Sequence, residues 1–82
     1  MPDAAEIDRI RAEFADALVR VATDEDLKTV RDRYLARRGG VVTNLMKAVA
    51  GAPPADRPGL GRLANDLKNE IEARLAAARA VV

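Results

Sequence analysis

The sequence contains no histidine, cysteine, tryptophan or serine among its 82 residues. These absences remove the imidazole base, the thiolate nucleophile and the softest metal ligands, and the remaining hydroxyl groups belong to three threonines and one tyrosine. We therefore expect no catalytic residues, no metal site and no cofactor within this chain. Without cysteine there is no disulfide framework, so a cytoplasmic location is the default expectation.

Long apolar runs and aromatic residues are also scarce. No run approaches the about 20 apolar residues of a bilayer span, and the acidic start Met1-Pro2-Asp3 differs from the basic start of a signal peptide. Aromatic residues make up 2% of the chain, namely Phe14 and Tyr34. This composition favours narrow helix-to-helix seams, so we expect one small domain over 1–82 with no membrane partner and some support from a neighbouring domain.

The first part of the chain has a helical period. Apolar residues at spacings of three and four predict helix one over about 4–22, and they are Ile7, Ile10, Phe14, Leu18 and Val21. Asp3 is the expected N-cap of this helix. Thr23, followed three residues later by Asp26, predicts that a new helix begins there.

A second and a third apolar seam follow. Leu27, Val30 and Tyr34 continue the period until Gly39-Gly40, after which we expect a short helix capped near Thr43. Glycine and prolines at 51–54 break the chain again. The last helix has the clearest seam, formed by Leu60, Ala64, Leu67, Ile71, Leu75, Ala78 and Val82.

Two seams joined by a breaker-rich segment predict an all-α fold, an antiparallel helical hairpin of the coiled-coil type over about 24–81, with its tip at about 37–58. Helix one would pack beside the hairpin as an additional N-terminal helix. Tyr34 falls on the apolar stripe, so we expect a core ring with its hydroxyl at the rim. Asn65 is expected to cap or crosslink the two long helices.

Charge is segregated along the chain although the formal net charge is only +1. Up to Leu27 eight acidic residues face three basic ones, whereas from Lys28 to Lys68 nine basic residues face three acidic ones. An ordinary solvated helix surface and a surface for phosphate groups are both consistent with this pattern. The acidic run at 24–26 is explained by its position at a helix start, so we do not expect a cation there.

Four separated motifs resemble a known family. They are Thr23-x-x-Asp26-Leu27-x-x-Val30-Arg31-x-x-Tyr34-Leu35-Ala36-Arg37-Arg38-Gly39, Thr43-x-Leu45-Met46-Lys47, Pro53-Pro54-x-x-Arg57-Pro58-x-x-Gly61 and Asn65-x-x-Lys68-x-x-Ile71. Together they resemble the N-terminal tRNA-binding arm of the bacterial phenylalanyl-tRNA synthetase alpha subunit. The resemblance covers about 23–80. Ala36 stands where that family usually has glycine, and Gly40 is an extra residue.

The resemblance implies a module that holds tRNA, with the phenylalanine tRNA as its partner, while a separate class II catalytic domain and a beta subunit complete the ligase. The chain by itself would not be an enzyme. We expect backbone contacts from seven basic residues, which are Arg37, Arg38 and Lys47 near the tip of the hairpin and Arg33, Arg57, Arg62 and Lys68 along its flanks. The alternative is a protein-interaction coiled coil that self-associates through its seams and has no affinity for RNA.

Overall fold

The computed structural model describes residues 3–81, which form four helices and no strand within that range. The helices are α1 (Ala4–Val19), α2 (Asp24–Leu35), α3 (Val41–Ala50) and α4 (Arg57–Val81). The all-α prediction is therefore confirmed. Helix α1 ends earlier than the apolar period suggested, although Leu18 and Val21 still pack against the core. Val82, the last member of the predicted seam, lies outside the described residues.

Side-chain caps set the starts of the first two helices. The Asp3 carboxylate accepts a hydrogen bond from the Glu6 amide at 2.8 Å. The Thr23 hydroxyl oxygen accepts from the Asp26 amide, while the Asp26 carboxylate accepts from the Thr23 amide, so a reciprocal capping box is formed. Both predicted N-caps are therefore confirmed. They stabilise the helices because they supply acceptors to amides that have no partner inside the helix.

A tight corner joins α2 to α3. Ala36 has an extended backbone (φ −59°, ψ 141°) that any residue adopts, so the bend does not need the glycine that the resembling family has there. Gly39 has a φ of +76°, which favours glycine, and Gly40 lies directly against the Ala36 backbone. The Thr43 hydroxyl donates to the Ala36 carbonyl oxygen at 2.6 Å and ties the two sides of the corner together.

The prediction of a cap near Thr43 is wrong. Helix α3 begins two residues earlier, at Val41, and its N-cap is Gly40, which has no side chain to offer. Thr43 instead lies in the first turn, where its hydroxyl is used by the Ala36 carbonyl group. The strand-like pair Val41-Val42 is helical because Val42 is needed in the core, where it is 3% exposed.

Helix α4 is the longest of the four helices, and α2 and α3 pack along it one after the other. A groove between α2 and α4 is lined by residues 24–35 and by residues 72–79, which places α2 beside the C-terminal half of α4. Helix α3 reverses into α4 through the connection at 51–56 and so lies beside its N-terminal half. The first arm of the hairpin thus consists of two helices, α2 and α3, with a corner between them, and α4 forms the second arm.

Helix α1 completes the core from one side. Ile7, Ile10 and Phe14 are buried in the same cluster as residues of the other three helices. The Phe14 ring meets the Tyr34 ring edge to face, with centroids 5.2 Å apart. The result is an elongated molecule, 42 Å long with a radius of gyration of 13.2 Å, compared with about 12 Å for a compact domain of this length.

Candidate nucleic-acid interface

The α2–α3 corner holds the first pair of predicted contact residues. Arg37 and Arg38 occupy the turn itself, and both side chains are exposed. The corner is built tightly, because the Thr43 hydroxyl bonds to the Ala36 carbonyl oxygen and the Gly40 carbonyl oxygen accepts from the Asn44 amide at 2.9 Å. Two guanidinium groups are therefore presented from a turn with a defined backbone.

A second group of predicted residues lies around the connection between α3 and α4. Lys47 is in the last turn of α3, Arg57 is the first residue of α4, and Arg62 follows a little more than one turn later; all three are exposed. The Arg57 Nε donates to the Ala52 carbonyl oxygen at 2.8 Å and thereby closes the connection. Helix α3 is ten residues and about 15 Å long, so Arg37 and Arg38 precede its first turn whereas this second group begins in its last turn.

The other two predicted residues, Arg33 and Lys68, are also exposed, and each has a close neighbour in the fold. The Arg33 guanidinium carbon lies 5.8 Å from the centroid of the Tyr34 ring, on the side of α2 that faces the acidic residues of α1. Lys68 Nζ lies 3.9 Å from a carboxylate oxygen of Glu72 on the same helix. The structure therefore places the seven predicted residues in two groups, Arg37 with Arg38 and Lys47 with Arg57 and Arg62, and at two single positions.

Ion pairs are distributed unevenly over the surface. Arg9 and Arg11 of α1, and Arg20 at its C-cap, all pair with acidic neighbours, and Arg11 also reaches Glu70 of α4 at 2.7 Å. By contrast, within residues 3–81 no ion pair is made by Arg37, Arg38, Lys47, Arg57 or Arg62. None of these five positive charges has an acidic side chain within ion-pair distance in the described part of the chain, which makes them available to an external anion.

Sequence reasoning did not single out the cations of the α2–α4 groove. Lys28 and Arg31 on α2 and Arg79 on α4 line this solvent-open groove of about 800 Å³, and Glu72 lies on the same side of α4 as Arg79. The signal available beforehand was the spacing of Lys28 and Arg31, which puts both on one helix face. Which face is open depends on where α1 packs, and the period alone does not give that.

Tyr34 and Asn65 were predicted to have structural roles and are not part of the set of exposed cations. Burial raises the pKa of the Tyr34 hydroxyl, against the opposing influence of Arg33 and with a smaller push from Glu13 and Asp16. The side chain is 1% exposed, so Tyr34 lies in the core as predicted, and the position of its hydroxyl at the rim stays a prediction. Asn65 is exposed and its side chain makes no hydrogen bond within the described part of the chain, so the expected cap or crosslink is not formed.

Exclusions within the described residues narrow the chemistry of the surface. Residues 3–81 contain no group of three or more acidic side chains arranged to hold a metal ion. None of the helices in this range is long and apolar enough to span a membrane. Both aromatic rings are in the core, Phe14 at 0% and Tyr34 at 1% exposure, and neither is available to stack on a base.

Comparison with known proteins places these features in a family context. A family model described as "Aminoacyl tRNA synthetase class II, N-terminal domain" matches residues 22–82. The chain is similar to the phenylalanine–tRNA ligase alpha subunit of Trichlorobacter lovleyi, with 38% identity over 68 residues, 83% of this chain and 20% of that protein. The same subunit of Desulforudis audaxviator is 37% identical over 70 residues, 85% of this chain and 20% of the relative.

These matches confirm the resemblance that the four motifs carry. The alpha subunit of Heliobacterium modesticaldum gives the same identity and coverage as that of Desulforudis audaxviator. The chain spans about one fifth of the length of the curated relatives it matches. No solved structure matches the chain. The family match begins at residue 22, after α1, although α1 supplies three residues to the core.

Proposed function

Because the chain belongs to the family of N-terminal domains of class II aminoacyl-tRNA synthetases, we propose that it is the tRNA-binding arm of a phenylalanine–tRNA ligase alpha subunit, or a stand-alone relative of that arm. In this function it holds tRNA by the sugar–phosphate backbone and takes no part in the chemistry. A catalytic domain and a beta subunit, acting in the cytoplasm, charge the tRNA with phenylalanine.

The observation that carries this proposal is the set of five exposed cations without an ion pair at the two ends of α3. Arginine predominates in the set, and its planar guanidinium matches phosphate oxygens in two-point geometry. The two groups lie toward opposite ends of α3, a helix about 15 Å long, and can hold separate points of the same backbone. Arg33 and Lys68 complete the proposed contact set from positions beside these groups.

Backbone contact also defines what this arm does not do. Phosphate contacts fix register and orientation but carry no base information, and with both aromatic rings buried no base is stacked. Selection of the phenylalanine tRNA therefore belongs to other parts of the ligase. The isolated chain should bind tRNAs of different identity with similar affinity, with the phenylalanine tRNA as the physiological partner.

The test neutralises the corner pair and compares it with a matched pair on α1. Arg37→Gln with Arg38→Gln removes two positive charges from the proposed site, and Arg9→Gln with Arg20→Gln removes two from exposed helix positions (68% and 78% exposed). If counterion release supplies the whole effect, losing two phosphate contacts lowers the affinity for tRNA about 25- to 60-fold at 0.1 M salt. The measurement is a tRNA titration followed by fluorescence anisotropy.

The control pair is expected to keep the affinity within about threefold, because only long-range charge changes there and at this salt it is screened beyond about 10 Å. Circular dichroism should report the same helical content for both variants. Equal losses from the two pairs would mean that total charge and not the corner governs binding. No loss from either, together with self-association seen by sedimentation, would favour the protein-interaction module.

A further inference from the structure

The α2–α4 groove lies on the face of the molecule that α1 leaves open. Helix α1 approaches α4 at Glu70, through Arg11, whereas the groove follows Glu72, Leu75 and Arg79. Residues 70 and 72 are 200° apart around a helix of 3.6 residues per turn, so α1 and the groove occupy opposite flanks of α4. The groove is therefore open to solvent along its length.

We propose that this groove is a second contact surface for the RNA backbone, in which Lys28, Arg31 and Arg79 engage phosphate groups. The inference rests on the proposed tRNA-binding function and extends its contact set by three residues outside the seven predicted from the sequence. Lys28 and Arg31 are one helical turn apart on α2, and Arg79 faces them from α4. None of the three forms an ion pair within residues 3–81.

The acidic side chains of the groove do not cancel this charge. Glu72 is turned toward Lys68, with 3.9 Å between its carboxylate oxygen and Nζ. Asp24 is the first residue of α2, where the positive end of the helix dipole stabilises a carboxylate. Three cations against two carboxylates leave the lining of the groove with a formal charge of +1, and Lys68 beside Glu72 adds a further positive charge, so the groove favours an anion.

A polyanion fits the groove better than an apolar protein helix does. A docking helix needs accessible apolar surface, but Leu27 and Leu75 in the floor are each 7% exposed. The apolar surface of both side chains is already buried where α2 packs on α4. What the groove offers to a partner is mainly its charged rim, and a sugar–phosphate backbone is the partner that a rim of cations recognises.

The groove is also continuous with the proposed site at the corner. Leu35, the last residue of α2, lines the groove, and Arg37 follows it by two residues. A strand held at the corner can therefore run on toward Arg31 and Lys28 without crossing α1. Contacts with Arg31 and Lys28 would then extend the proposed site from the corner along α2, in the direction away from α3.

The experiment neutralises one groove cation on each helix. Arg31→Gln with Arg79→Gln is compared with Arg20→Gln with Arg74→Gln, which also removes one charge from a neighbouring helix and one from α4 but spares the groove. For the groove pair we expect the slope of log affinity against log salt to become shallower by about 1.4 to 1.8, and the affinity for tRNA to fall about 25- to 60-fold at 0.1 M salt. The control pair is expected to change neither quantity appreciably.

The outcomes separate the groove from the corner. If the corner pair Arg37 and Arg38 matters and the groove pair does not, the groove proposal is wrong and the proposed function stands. If the unmodified chain does not bind tRNA at all, both are wrong. If the groove pair leaves tRNA binding intact but abolishes self-association, the groove is a protein interface and the proposal is overturned. All four side chains are exposed, so thermal unfolding should be nearly the same in both variants.

Discussion

Replacing Gly40 by alanine tests the corner that carries the arginine pair. A Cβ atom built on Gly40 would lie 2.7 Å from the Ala36 amide nitrogen and 3.2 Å from its carbonyl carbon, and it would overlap the carbonyl oxygen. All three obstacles are backbone atoms, so no side-chain rotation relieves the overlap. The corner must open, and the 2.6 Å hydrogen bond from Thr43 to that same carbonyl oxygen is the contact that opening stretches.

The steric overlap and the stretched hydrogen bond together set the expected loss of stability. Overpacking against backbone costs about 1–3 kcal/mol, and loss of one hydrogen bond adds about 1 kcal/mol. We therefore expect Gly40→Ala to lower the free energy of unfolding by about 2–4 kcal/mol. A domain of this length is stable by only about 4–12 kcal/mol, and each kcal/mol shifts Tm by about 4–8 °C. Urea and thermal unfolding followed by circular dichroism will measure both quantities.

Replacing two other glycines by alanine provides controls for the Gly40→Ala variant. Gly61 is inside α4 and has no heavy atom within 4 Å of the added Cβ, so Gly61→Ala should stabilise the protein by about 0.5–1 kcal/mol. Gly39 also has open space but a φ of +76°, so Gly39→Ala should cost about 1–2 kcal/mol from backbone strain alone. If Gly40→Ala were as stable as the unmodified chain, the close approach at the corner would be refuted.

Three further predictions concern the core, a surface ion pair and the buried tyrosine. Phe14→Ala should destabilise the protein by about 3–5 kcal/mol in urea unfolding, because the ring is 0% exposed and packs on Tyr34; a cost below 1 kcal/mol would mean that α1 is not part of the core. A double-mutant cycle on Arg11 and Glu70 should give a coupling of only about 0.2–1 kcal/mol, because the two side chains are 35% and 40% exposed. An ultraviolet titration should place the pKa of the single tyrosine above 10.0 in the folded protein. Since the unfolded chain then releases this proton first, the associated stability is complete below about pH 10 and is lost as pH rises through the folded pKa; a pKa at or below 10.0 would contradict the burial of the ring.

The sequence predicted the helices best where an apolar period and a cap agreed. Asp3 and Thr23 marked the starts of α1 and α2 because their side chains act on amides three residues away, and such local effects are visible in a sequence. The seam of α4 was equally clear, since Ala64, Leu67 and Ile71 are each 0% exposed. Local patterns and tertiary packing point to the same structure in these segments.

The corner and the groove were not predictable in the same way. Gly40 caps α3 through a close approach to Ala36, which is a contact between two segments and leaves no spacing signature. Likewise, Lys28 and Arg31 could not be distinguished from solvated charges until the position of α1 showed which side of α4 is open. The seven predicted cations were assigned to the tip and the flanks of a simple hairpin, and the sequence did not show that α3 would separate Arg37 and Arg38 from Arg57 and Arg62.

The salt dependence of tRNA binding tests the central claim of a backbone-holding arm most directly. Five exposed cations without an ion pair, each releasing about 0.7–0.9 counterion, predict that log affinity falls with log salt with a slope of about −3.5 or steeper. Between 50 and 200 mM salt the affinity of the unmodified chain for tRNA should therefore drop by about two orders of magnitude or more. Affinity that is independent of salt over this range, or no measurable tRNA binding at 50 mM salt, would contradict the account.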